Sequence, residues 1–138
     1  MTLLFPFLIQ ITLSLGLVLL LGNTRVGALK RREVRLADVA VANDAWPTRA
    51  RIIANQYQNQ FEAPVLFYAL VIMAIVVGAD GPVMTGLAWA FVASRLVHSL
   101  IHLNGNNVRR RFLAFVSGIM ILIGMTITLA VFAATHTL

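Results

Sequence analysis

Residues 49–70 read RARIIANQYQNQFEAPVLFYAL, and the fold is decided here. The first half is polar with helical spacing; the second opens an uncharged apolar run from Val65 to Val77. At about 100° per residue, Arg51, Asn55, Gln58, Asn59 and Glu62 share one stripe roughly 100° wide and about 16 Å long. No Gly or loop signal separates the halves, so one helix is expected to start in water and end in lipid. Pro64 lacks a backbone donor and frees the carbonyl of Gln60, so a bend or local opening is expected there. A carboxylate and a row of amides at the mouth of a membrane helix are costly unless they face protein or water. The stripe is therefore expected to face inward.

Composition agrees with a membrane setting. Of 138 residues, the length of one domain, 59% are apolar and 12% charged, against about 45–50% and about 25% in soluble domains. There is no Cys, which excludes disulfides, thiolate metal sites and a Cys nucleophile and leaves the redox compartment unread. Eleven Lys and Arg stand against five acids, a net charge of +6. These cations flank apolar runs, so they read as topology signals rather than as a nucleic-acid surface.

Working outward, four spans are expected, at 3–22, 61–77, 83–103 and 112–134, in a single domain. Leu3 to Gly22 is long enough to cross a bilayer. It has no cationic leader and no small-residue cleavage site after it, so it reads as an uncleaved helix. Gln10 within it is either inert or a polar contact between helices. Asn23 to Pro47 reads as a basic connector lying on anionic headgroups, with a short surface helix over Val34 to Ala42. Trp46-Pro47-Thr48 reads as a helix start. The first connector up to Arg51 carries seven cations, the turn at Gly78 to Pro82 none, and the turn ending in Arg109-Arg110-Arg111 three. The positive-inside rule then places the first and third connectors in the cytoplasm and both termini on the other side. The expected fold is an all-α integral membrane protein, a four-helix antiparallel bundle.

That topology makes three polar clusters converge. The stripe opens the second span on the cytoplasmic side; Arg95, His98 and His102 end the third span there, on one face about 60° wide. Arg111 opens the fourth at the same depth. Glu62 and Arg95 admit a structural ion pair, and the two histidines admit plain hydrogen bonding between helices. A metal is not expected, because the surrounding Arg residues repel a dication and too few ligands converge. Cations, one carboxylate, amides and imidazoles at the water–lipid boundary suit a small polar ligand of net negative charge. Apolar walls beside them would admit a lipophilic partner from the bilayer.

The pattern Asn59-x-x-Glu62 with Pro64, then Arg95-x-x-His98-x-x-x-His102, then Arg111 after a basic turn resembles the MAPEG family, the membrane-associated proteins in eicosanoid and glutathione metabolism, in a bacterial-type form. The resemblance covers about Arg49 to Ala134. It implies a homotrimer that binds glutathione as co-substrate between protomers near the cytoplasmic face, in a bacterial inner membrane. It implies a glutathione-binding set of Arg51, Asn55, Asn59, Glu62, Arg95, His98 and His102, with Glu62 facing the ammonium. Arg111 would be the catalytic residue, favouring the thiolate. The sequence departs from the family at Asn55, where many members have Arg, and at His102, where they often have Tyr. It departs again at Phe112 and Phe115, where some have Ser and Tyr.

Two functions compete. One is a glutathione S-transferase or peroxidase acting on a lipophilic small molecule. The other is a non-catalytic scaffold or accessory subunit of a larger membrane complex, in which the same residues form a polar core. A transporter is the weakest option, since four short spans without repeats offer little for alternating access. Partners are membrane lipids and further copies of the chain, with no nucleic acid.

Overall fold

The computed structural model describes residues 2–40 and 42–136. Its elements are α1 (Leu4–Lys30), α2 (Leu36–Val39), α3 (Thr48–Gln58), α4 (Ala63–Val77), α5 (Pro82–Leu103) and α6 (Val108–Thr135), with short 3-10 turns at Asn43–Ala45 and Asn59–Phe61. There is no strand among the described residues. Four helical stretches are long and apolar enough to cross a membrane: Leu4–Lys30, Thr48–Val77, Pro82–Leu103 and Val108–Thr135. The protein is an all-helical integral membrane protein.

The first helix outruns its apolar stretch and continues to Lys30, so Asn23 to Lys30, expected as connector, is helical. Ala28 is buried on this extension. The Arg25 guanidinium stacks 4.8 Å from the Trp46 ring and donates to Asn43 Oδ1 at 3.3 Å. Packing against the chain that leads into α3 thus prolongs a helix that local sequence would release. It ends where Arg32 turns left-handed, at φ 56°. The Arg32 and Glu33 amides then bond the carbonyls of Leu29 and Ala28, each at 3.0 Å, which satisfies the last turn's acceptors. The surface helix expected over Val34 to Ala42 is reduced to the four residues of α2, with Val41 outside the described residues. Arg31 bonds Glu33 at 2.7 Å and Arg35 bonds Asp38 at 2.8 Å. Both carboxyls are held below their usual range by these bonds.

The second span is two helices rather than one. Proline 47 precedes α3, and its φ of −54° suits a helix start. Helix α3 stops at Gln58, a 3-10 turn follows, and Glu62 adopts φ −100°, ψ −102° before α4 begins. The opening falls just before Pro64, where the missing amide breaks the helical ladder. Proline 64 is then tolerated in the first turn of α4, where its N–H would have no partner.

Helix α5 packs along α6, α1 packs on α3 and α5, and α4 packs on α6. The core is Phe67, Val71 and Ala74 of α4, Met84, Ala88, Phe91 and Val92 of α5, and Leu122 and Met125 of α6. Phe67 and Phe91 stack with centroids 4.6 Å apart. Lipid is as apolar as these side chains, so close packing and internal hydrogen bonds hold the bundle. Gly78 closes α4 at φ 77°, a conformation a side chain would strain.

Candidate functional site

One end of the bundle gathers the end of α3, the turn after it, the last part of α5 and the start of α6. Between them lies a cavity of about 390 Å³, lined by Asn55, Gln58, Asn59, Glu62, His98, His102, Val108, Arg111, Phe112 and Phe115. This volume is at the low end of about 300–1,000 Å³ for small-ligand sites. The polar stripe does form, but it does not face inward. Arg51, Asn55, Gln58 and Glu62 are exposed and Asn59 is half-buried. The inward face of α3 is instead Ala50, Ile53 and Gln56, continued by Gln60 in the turn. Ala50, Ile53 and two hydrogen-bonded glutamine amides take the interior, and the acid is left on the wall of an open groove.

The α5 residues behave differently from one another. Arg95, His98 and His102 share a buried face as the spacing predicts. The Arg95 guanidinium lies behind the cavity, between the rings of Phe91 and Phe115 at 5.4 and 5.6 Å. It donates to the Ala114 carbonyl at 2.9 Å and the Phe115 carbonyl at 3.3 Å. Among the described residues no ion pair joins it to Glu62. Gly118 makes room for it, because a Cβ there would lie 2.9 Å from Arg95 Cζ and 3.1 Å from Ser94 Oγ. His98 and His102 reach the cavity, ring centroids 5.9 Å apart.

Arg111 is fixed before any ligand arrives. Asn107 caps α6 by accepting from the Arg110 amide at 3.0 Å, which orders the first turn. Arg111 Nη1 donates to Asn106 Oδ1 at 2.8 Å and lies 3.4 Å from His102 Nε2. The other ring nitrogen, His102 Nδ1, is buried and has no partner among the described residues. Arg109 and Arg110 are exposed, whereas Arg111 is half-buried.

Arg51 lines a neighbouring groove of about 580 Å³ with Arg25, Asp44 and Tyr57; Asn55 and Gln58 border both spaces. Of the expected set, then, Asn55, Asn59, Glu62, His98, His102 and Arg111 meet in one cavity. Arg51 lies beside it and Arg95 behind it. No group of three or more His, Asp or Glu placed to hold a metal occurs among the described residues.

A buried chain of amides stands behind these residues. Gln10 Nε2 donates to Gln60 Oε1 at 2.9 Å, Gln60 Nε2 donates to the Gln56 carbonyl at 3.3 Å, and Gln56 Nε2 donates to Ser99 Oγ at 2.6 Å. The spacing held a signal for it. Extending the buried face of α4 backwards from Phe67 through Ala63 in steps of three and four reaches Gln60, Gln56 and Ile53.

The family model described as MAPEG family matches residues 3–131. Neither a search of curated proteins nor one of solved structures returned a match.

Proposed function

The chain belongs to the MAPEG family, and from that premise we propose that it binds glutathione in this cavity and transfers it to, or uses it to reduce, a lipophilic substrate at the cytoplasmic membrane boundary. The observation that carries the reading is Glu62, a carboxylate on the cavity wall, in one space with the Arg111 cation and the amides of Asn55, Gln58 and Asn59. Glutathione carries an ammonium, two carboxylates, two amides and a thiol, and the cavity offers counterparts to the ammonium, the amides and one anionic group. Glu62 would take the ammonium, the amides the peptide groups, and Arg111 the thiol or a carboxylate.

The chemistry asked of the protein is modest. A thiol of pKa about 8.5 must be shifted toward its thiolate, at about 1.36 kcal/mol per unit. A guanidinium at the edge of low dielectric acts more strongly than one in water. The thiol proton leaves to water at the open groove. In conjugation, the sulfur bonds the electrophilic carbon and the leaving group departs with its electron pair. Phe112 and Phe115 supply an apolar wall on which such an electrophile would rest.

An exposed polar stripe at membrane level also calls for company. Assembly as a homotrimer, with a neighbouring protomer closing the groove, would cover it. The seven cations of the first connector would hold this end on the cytoplasmic side of a bacterial inner membrane.

A non-catalytic scaffold is the second reading, favoured by one observation. Both aromatic residues that α6 contributes to the cavity, Phe112 and Phe115, lack a hydroxyl to steady a thiolate. Glutathione titrated into the detergent-solubilised protein, read as a thermal shift, tests binding; turnover of a lipophilic aryl halide tests transfer. Saturable stabilisation with turnover supports the enzyme, stabilisation alone the scaffold, and neither overturns the glutathione reading.

A further inference from the structure

The buried amide chain runs behind the cavity and meets its lining at Asn59. Helix α3 stops at Gln58, so its last carbonyls lose their usual partners. The carbonyl of Gln56 is satisfied by a side chain instead, Gln60 Nε2 at 3.3 Å, reaching back from the 3-10 turn. The Gln60 side chain is in turn oriented by another helix. Gln10 of α1, fully buried, donates its amide to Gln60 Oε1 at 2.9 Å. That bond fixes which end of the Gln60 amide points at α3. If the amide were flipped, its oxygen would meet the Gln56 carbonyl, acceptor against acceptor.

The turn held this way carries two cavity residues. Asn59 is its first residue, and Glu62 follows its last with a non-helical backbone. Gln56 supports the same unit from the other side. Its Oε1 accepts a long bond from Asn59 Nδ2 at 3.5 Å, while its Nε2 bonds Ser99 Oγ at 2.6 Å. Ser99 sits beside His98 on α5, so the amide chain ties the turn to the wall that bears the imidazoles. Ser99 Oγ donates onward to the Arg95 carbonyl at 2.8 Å. A buried polar network that is nearly fully paired rigidifies what it touches. Three glutamines buried at a helix break would otherwise be a liability.

We propose that Gln60, set by Gln10, is a positioning residue that holds the Asn59–Glu62 turn in its ligand-ready conformation. The glutathione part of this inference rests on the functional reading above; the conformational part does not. Gln60→Met keeps length and volume and removes the side-chain hydrogen bonds of Gln60, including the long one it accepts from Ser14 Oγ at 3.5 Å. In the ligand-free protein, amide exchange at residues 59–62 should accelerate about tenfold or more, while exchange within α5 and α6 stays near wild type. Glutathione affinity should fall about tenfold. Gln10→Met should move both readouts the same way. The double variant should be no worse than Gln60→Met alone, because the two side chains act through one bond.

Unchanged exchange at 59–62 in Gln60→Met, or effects of the two changes that simply add, would overturn the proposal. If Gln60→Met does not assemble, Gln10→Met decides by the same readouts, since its side chain leaves the turn's own sequence intact. Faster exchange with no glutathione binding to either protein would uphold the positioning and overturn the glutathione reading.

Discussion

The Arg95 guanidinium donates to the Ala114 carbonyl at 2.9 Å across the α5–α6 seam. This bond removes the deepest cation from the reach of Glu62 and leaves the carboxylate to the cavity. The buried charge is housed by backbone acceptors and two aromatic faces instead of by an acid. Arg95 and Glu62 therefore serve separately, one in the seam and one on the cavity wall, and each can be disturbed without the other.

Glu62→Gln should leave the protein folded and assembled, because the carboxylate is exposed and, among the described residues, in no ion pair. Glutathione binding should weaken tenfold or more, about 1.4 kcal/mol, by loss of the charge that meets an ammonium. Isothermal titration beside a ligand-free melting curve checks both halves. A variant that falls apart without ligand would make Glu62 a structural residue.

Gly118→Ala tests the housing of Arg95. A methyl at 118 meets the guanidinium and Ser94 Oγ, whereas one at Gly124 would lie 3.6 Å from Leu87 Cδ2, an ordinary contact. The first change should cost about 1–3 kcal/mol as overpacking. Gly124→Ala should cost almost nothing. Unfolding in detergent gives the comparison, and equal stability of the two variants would contradict this account of the seam.

Much of this was legible in the chain. Four apolar runs and the shared face of Arg95, His98 and His102 follow from counting at helical period. What was not legible came from contacts between elements. Nothing near Asn23 says that α1 should go on to Lys30; Trp46 and α3, distant in sequence, hold it there. The stripe of Arg51, Asn55, Gln58, Asn59 and Glu62 was visible, but its direction was not. Facing protein and facing a groove give the same spacing. The inward side could have been found by carrying the α4 core backwards, where Gln56 and Gln60 look too polar for a buried face.

Sidedness can be tested with single Cys residues and an impermeant reagent on intact cells. Arg32 and Asn106 have left-handed backbones, φ 56° and 45°, so Ala37 and Asn104, both exposed, are better sites. Ala37→Cys and Asn104→Cys should be shielded, and Gly81→Cys should react. Labelling of Ala37→Cys from outside would place the cavity on the opposite membrane face.

The most direct test of the central claim is the ultraviolet absorbance of the glutathione thiolate, titrated against pH with the protein in excess. Binding with thiol activation predicts an apparent pKa below the free value of about 8.5. Arg111→Ala should return the pKa toward that value, and Arg109→Ala should leave it depressed, since only Arg111 lines the cavity. A wild-type titration no different from that of free glutathione would contradict the claim that this cavity binds and activates the thiol.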